Sequence, residues 1–145
     1  MRALVQRASR ARVWVDGKTV GEIRAGLCCL IGVTHDDDHK KAKKLAEKLW
    51  HLRVFDDEEG KTNRSAAETN GEVLIVSQFT LYGDTQRGRR PSYTAAASSA
   101  QADKLINHLV KELQNLGATV ETGTFGAHMK LELVNDGPIT LLIEI

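Results

Sequence analysis

Apolar and polar residues alternate through the first 23 positions, and Val13, Val15, Val20 and Ile23 flank Asp16-Gly17. Such alternation describes strands with one buried face. Asp-Gly between two such runs predicts a hairpin, because both residues tolerate a positive φ. After Gly26 the pattern becomes a continuous apolar run, 27–33, that reads as a strand buried on both faces. Residues 34–38 offer capping side chains and acids suited to a helix N-terminus. Ala42, Leu45, Ala46 and Leu49 then recur at helical spacing, with Lys40, Lys41, Lys43, Lys44 and Lys48 around them. Those lysines read as a solvated helix face. Val54 and Phe55 suggest a short strand before a turn at 56–61.

A second strongly apolar strand is predicted over 72–81, where Val73-Leu74-Ile75-Val76 runs into Ser77-Gln78-Phe79-Thr80. A polar loop follows, over 82–92. Ala102, Leu105, Ile106, Leu109, Leu113 and Leu116 mark a second amphipathic helix, which Gly117 is suited to end. The rest is strand-like over 119–122, 130–135 and 139–145, and a Gly137-Pro138 turn separates the last two. The order is two strands, two strand–helix units and about three strands. It predicts an α/β fold, a compact three-layer β/β/α sandwich of two sheets with two main helices on one face. With no repeat or linker, residues 1–145 are expected to form a single domain.

Composition adds limits. A formal net charge of +1 excludes a uniformly basic nucleic-acid coat and leaves room for a local basic patch. The cysteines, Cys28 and Cys29, are adjacent in an apolar run. They read as buried thiols acting as small hydrophobes and can build neither a disulfide framework nor a cysteine zinc site. This suits a reducing cytosol. Arg2, Arg7, Arg10 and Arg12 interrupt any signal-peptide core, and no apolar segment approaches the roughly 20 residues of a membrane span. A cytoplasmic protein without membrane contact is expected.

Gly-x-Ser-x-Gly, His-Glu-x-x-His, P-loop and Gly-x-Gly-x-x-Gly patterns are absent. His35, His39, His51, His108 and His128 show no metal-ligand spacing. A Ser-His-Asp triad converges only in space, and nothing in the sequence favours one. Three polar segments instead interrupt apolar regions. Ser77-Gln78-Phe79-Thr80 ends a buried strand, where polar groups need partners, and the pattern alone leaves simple alternation equally open. Arg87, Arg89 and Arg90 fall on a Gly/Pro-containing loop and read either as phosphate-binding forks or as a solvated loop. Asn135-Asp136-Gly137-Pro138 reads as a plain hairpin turn unless another constraint acts on it.

Taken together, these segments resemble the D-aminoacyl-tRNA deacylase (D-tyrosyl-tRNA deacylase) family. Met1-Arg2-Ala3-Leu4-Val5-Gln6-Arg7 looks like its opening strand, and Ser77-Gln78-Phe79-Thr80-Leu81 carries its Ser-Gln-x-x-Leu signature. Residues 87–92 resemble its basic loop. Phe125-Gly126-Ala127-His128-Met129 matches Phe-Gly-Ala-x-Met, and 135–140 matches Asn-x-Gly-Pro-x-Thr. Gly83 stands where Ala is expected, and His128 where a polar or acidic residue is usual.

The resemblance implies a homodimer acting on aminoacyl-tRNA, without metal or other cofactor. Gly137-Pro138 would be a cis peptide entering the partner's site, admitting a D-aminoacyl or glycyl ester and rejecting the L-form. Ser77, Gln78, Phe79 and Thr80 would carry catalysis, with backbone amides around Phe79 and Thr80 on the substrate carbonyl. Phe125, Gly126, Ala127, Met129 and Asn135 would form the substrate pocket, and Arg87, Arg89 and Arg90 would contact tRNA. Thr80 is the obvious nucleophile candidate, but no general base stands beside it in sequence. A water assisted by the substrate's 2′-hydroxyl is preferred. The rival readings are a non-catalytic nucleic-acid-binding module and a generic Ser/Thr esterase.

Overall fold

The structure is a computed structural model and describes residues 1–86 and 88–145. Strand β1 (Arg2–Val15) turns at Asp16 (φ 49°) and Gly17 (φ 77°) into β2 (Lys18–Ile23), with Val15 opposite Lys18. Two successive positive φ values give the tight hairpin that the Asp-Gly pair predicts. Strand β3 (Gly26–Gly32) pairs antiparallel with β1 and is followed by α1 (His39–Trp50). Asp38 caps α1, its carboxylate accepting from Lys41 N at 2.9 Å. A two-stranded ribbon, β4 (Phe55–Asp56) and β5 (Thr62–Arg64), and the short helix α2 (Ala66–Thr69) lead to β6 (Glu72–Ser77), which lies parallel to β3. Helix α3 (Ser99–Asn115) then crosses to β7 (Val120–Thr122), parallel to β6, and β8 (Lys130–Glu144) returns along β1.

The sheet order is β2-β1-β3-β6-β7, with β8 also on β1. The sheet bends over itself, because β2 lies against β6 and β7 although it is bonded to neither. Two cores result. One holds Val5, Leu27, Cys29, Ile31, Val73 and Ile75 against Leu45, Leu49, Leu109 and Leu113 of the helices. The other holds Ala11, Val13, Ile23, Cys28, Leu74 and Val76 between the two halves of the sheet. Strands β3 and β6 therefore send alternate residues into different cores, which is why their sequence shows no polar face. Cys28 and Cys29 face opposite cores. Burial raises the Cys28 thiol to about 11, and burial followed by the neighbouring Cys28 raises Cys29 well above the usual range, so both stay protonated. Each buried leucine on α1 or α3 contributes roughly 1.5–3 kcal/mol. The three-layer β/β/α arrangement with both main helices on one face is as expected, its two β layers being parts of one bonded sheet.

Two expectations need correction. The strand predicted over 72–81 ends at Ser77, and Phe79–Tyr82 forms a 3₁₀ turn. The polar residues leave the sheet there, so no alternation continues through them. The last two predicted strands are also not a hairpin. Residues 130–135 and 140–144 both pair with β1 in the same direction: Gln6 faces Thr140, while Ala8 faces Asn135. Residues 136–139 form a bulge within one long strand. A turn between neighbours would have put the two halves side by side; here β1 is long enough to bind both end to end.

Candidate active site

The 3₁₀ turn starts where Gln78 N–H donates to Ile31 O at 2.8 Å, the last tie of this segment to β3. Leu81 N–H then reaches Gln78 O at 3.2 Å, and Gly83 N–H reaches Thr80 O at 2.9 Å. A first turn leaves its leading N–H groups without upstream carbonyls, so those of Phe79 and Thr80 have no acceptor within the turn. Arg2 braces the turn from beneath: its guanidinium donates to Leu81 O at 2.9 Å and lies 4.6 Å from the centre of the Tyr82 ring. Burial, with the nearby Asp37 carboxylate, raises the Tyr82 phenol to about 12, keeping it neutral.

Beside the turn is a cleft of about 620 Å³. Ser77, Gln78 and Phe79 form one wall, Phe125, Gly126, Ala127, His128 and Met129 another, and Ala102 and Ile106 of α3 lie behind. Two segments almost fifty residues apart in sequence thus share one concave surface, as a ligand site requires. Phe79 and Tyr93 stand at its mouth, ring centroids 5.1 Å apart and inclined at 71°.

Thr80 does not line this cleft, and its hydroxyl accepts from the Gln78 amide. A carboxamide is no base at neutral pH whichever way it is oriented, so this partner cannot take the Thr80 proton. Asn135 is also outside the cleft. Its amide donates to Arg7 O and Ile139 O, both at 2.9 Å, and staples the neck of the bulge. Gly137 and Pro138 are exposed at the tip of the bulge, joined by a cis peptide, and do not line their own chain's cleft. Arg89 and Arg90 are exposed on the loop between Asp84 and Ser92; Arg87 lies outside the described residues. Lys40, Lys43, Lys44 and Lys48 are exposed on α1, while Lys41 bonds the Asp37 carboxylate at 3.1 Å. Among the described residues, no three His, Cys, Asp or Glu side chains converge, and no helix is long and apolar enough to cross a membrane.

One residue escaped the sequence reading. Arg7, only 5% exposed, sits under the bulge. It donates to Val54 O at 2.7 Å, Asp56 Oδ1 at 3.1 Å and Asp136 O at 3.1 Å, and reaches Gly137 O at 3.4 Å and the Asp136 carboxylate at 3.0 Å. The available signal was parity: Ala3, Val5 and Arg7 share the inward face of β1, and an arginine in that row needs buried acceptors.

The model of the D-Tyr-tRNA(Tyr) deacylase family matches residues 4–144. Curated relatives named D-aminoacyl-tRNA deacylase are 57% identical in Mycolicibacterium smegmatis, covering 100% of both chains, and 56% identical in Thermosipho africanus, covering 99% of this chain and 97% of the other. A solved structure described as c-Myc DNA unwinding element binding protein superposes with a TM-score of 0.94 at 36% identity, over 100% of this chain and 99% of that one. A second, described as a probable eukaryotic D-amino acid tRNA deacylase, shares the fold with a TM-score of 0.87 at 17% identity, over 99% and 98%. With residues 77–79 and 125–129 sharing one cleft and a full-length match, the chain belongs to the D-Tyr-tRNA(Tyr) deacylase family, hydrolases of carboxylic ester bonds.

Proposed function

We propose that this protein, acting through the single domain 1–145, hydrolyses the ester that joins a D-amino acid to tRNA. The observation that carries the reading is the cleft between 77–79 and 125–129, walled by the start of a 3₁₀ turn that has no side-chain cap. An ester carbonyl placed against the Phe79 and Thr80 N–H groups gains donors for the oxyanion that forms when water adds. Ser77 and Gln78 shape the wall, and Phe125, Gly126, Ala127 and Met129 hold the terminal adenosine. Since the amide partner of Thr80 is no base, the substrate's own 2′-hydroxyl assists the attacking water. The bond from the carbonyl carbon to the ribose 3′-oxygen breaks, the proton passes to that oxygen, and free D-amino acid and tRNA leave. The reaction uses no metal or cofactor.

Stereochemical choice belongs to Gly137 and Pro138. They project from β8 on a bulge fastened by Arg7 and Asn135 and do not line their own cleft, so they serve the cleft of a second copy. Exposed Val134, Leu141 and Leu142 on the same strand give a homodimer apolar surface to cover. A rigid backbone wall admits a D-residue with its side chain outward, admits glycine and excludes an L-side chain. The protein works in the cytoplasm, where aminoacyl-tRNA is found, and Arg89, Arg90 and Arg87 contact the tRNA backbone. The test is hydrolysis of D-Tyr-, L-Tyr- and Gly-tRNA by purified protein, with sedimentation under the same conditions. The expected result is turnover of the D- and glycyl esters by a dimer. Tight tRNA binding without release of amino acid would favour a non-catalytic nucleic-acid module, and a trapped acyl-Thr80 would favour a serine/threonine-type esterase.

A further inference from the structure

Phe79 and Tyr93 are the large aromatic side chains at the mouth of the cleft, and they remain 55% and 39% exposed. Tyr93 is not loosely held. It follows a hairpin-like loop closed by Asp84 and Ser92, which exchange backbone hydrogen bonds of 2.7 and 2.9 Å. Behind it, Thr34 Oγ1 donates to Ala95 O at 2.6 Å, and the His35 ring bonds Thr94 O at 2.8 Å. Ala97 N–H reaches Val33 O at 2.9 Å. The bare backbone of Gly83 lets the ring come close, since a Cβ there would lie 2.9 Å from Tyr93 Cε1. The loop that ends at Tyr93 carries exposed Arg89 and Arg90.

A fixed, half-exposed aromatic pair beside exposed cationic side chains is the combination by which proteins hold single-stranded nucleic acid: bases stack, and phosphates meet the cations. The cleft, about 620 Å³, falls in the range of roughly 300–1,000 Å³ that encloses one small-molecule-sized ligand. It can take the aminoacylated terminal nucleoside, and the next nucleotide must lie at the mouth. We propose that Tyr93, set edge-to-face on Phe79, is the stacking platform for the penultimate base of the aminoacyl-tRNA, with Arg89 and Arg90 receiving the phosphates that lead away from it. This rests on the deacylase reading and adds a residue that distinguishes tRNA from its terminal nucleoside alone.

The experiment compares D-tyrosyl-tRNA with D-tyrosyl-adenosine, which lacks the penultimate nucleotide, in wild type, Tyr93→Ala and Tyr93→Phe. Loss of one stacked base lowers affinity by about tenfold. Tyr93→Ala is expected to lower kcat/KM on the tRNA ester by about that factor, through KM, and to leave the adenosine ester within about twofold. Tyr93→Phe should behave as wild type, because stacking uses the ring. Equal loss on both esters would put the ring against the terminal nucleoside or the amino acid, and no loss on either would leave it without a substrate role; both overturn the proposal. A terminal RNA trinucleotide with a fluorescent penultimate base separates the two readings. Quenching by wild type and not by Tyr93→Ala, in a protein that cleaves neither ester, would sink the deacylase reading and keep the platform. Absence of quenching would sink the platform.

Discussion

Ser77 to Gly83 leaves the end of β6 and coils over its own cleft, whereas Asp136 to Ile139 leaves the middle of β8 and stands out from the sheet. Both segments are polar interruptions of apolar strands. The first is held by its own backbone, by the tie to Ile31 and by Arg2. The second makes no such turn of its own and is held from beneath by a buried cation and one asparagine. A segment that closes its own hydrogen bonds can wall a site in its own chain. One that is propped up and left exposed at 136–138 does not wall its own chain's cleft.

The largest effect is expected from removing the projection and keeping the strand. Deleting Asp136–Pro138 leaves Ile139 opposite Arg7 and removes the register shift between Gln6 and Ala8, leaving the smaller one between Ala8 and Arg10. The variant should fold, as read by circular dichroism, and lose at least about 100-fold in deacylation, comparable to losing about 2.7 kcal/mol of transition-state stabilisation. Retained activity would mean that the bulge has no part in the site.

Arg7→Leu attacks the prop instead. It removes a buried guanidinium and leaves the buried Val54 carbonyl without its donor, while the half-exposed Asp56 and Asp136 carboxylates return to water, which should cost about 2 kcal/mol in denaturant unfolding. Activity should fall further than in a variant equally destabilised by a core leucine truncation such as Leu109→Ala. If the two variants lose activity alike, Arg7 supports the fold and not the bulge.

The loop beside the inner segment can be tested by pH. The Asp37 carboxylate has no exposed surface and bonds the Met1 ammonium at 2.7 Å, Thr34 N–H at 2.8 Å and Lys41 Nζ at 3.1 Å. Burial alone would raise its pKa, but these donors together hold it below the ordinary carboxylate value. The native state therefore binds fewer protons than the unfolded chain as acid is added. The contribution of Asp37 is complete above the unfolded carboxylate pKa of about 4 and is lost as the pH falls below it. Unfolding free energy measured from pH 7 to pH 3 should decline, and Asp37→Asn, costing about 2 kcal/mol at pH 7, should flatten that decline. A parallel decline in the variant would assign acid sensitivity elsewhere.

The smallest effect is expected within the inner segment itself. Thr80→Ala removes a hydroxyl whose partner is a donor amide, so deacylation should stay within about tenfold of wild type, less than about 1.4 kcal/mol. A folded, inactive variant would make Thr80 a nucleophile and reverse the contrast between a backbone-built wall and a side-chain-built one.

The elements were legible wherever local chemistry decides them. The Asp16-Gly17 turn follows from residues that accept positive φ, and the inner faces of α1 and α3 follow from helical spacing. The continuous apolar runs of β3 and β6 follow from burial on both faces. The segments at 77–80 and 135–140 could likewise be marked, because polar groups inside apolar stretches must be satisfied, whereas 125–129 stood out only by its resemblance to the family's Phe-Gly-Ala-x-Met segment. What the linear pattern could not contain is where each interruption goes. A strand and a 3₁₀ turn differ at Phe79 only through what Ile31, Gly32 and Arg2 offer beside it, and those residues lie more than 40 positions away. A hairpin and a bulge differ at Gly137 only through whether β1 is long enough to pair with both flanks. Arg7 became intelligible only with its acceptors on β4, the preceding loop and β8 assembled around it. By itself the sequence determined the first hairpin, the apolar strand runs, the inner faces of the two main helices and which residues are too polar to be idle, since burial, spacing and φ preference act within a few residues. The tertiary structure alone decided that 77–79 and 125–129 share one cleft and that 136–139 stands away from it, because those placements depend on hydrogen-bond partners that only the folded sheet brings near.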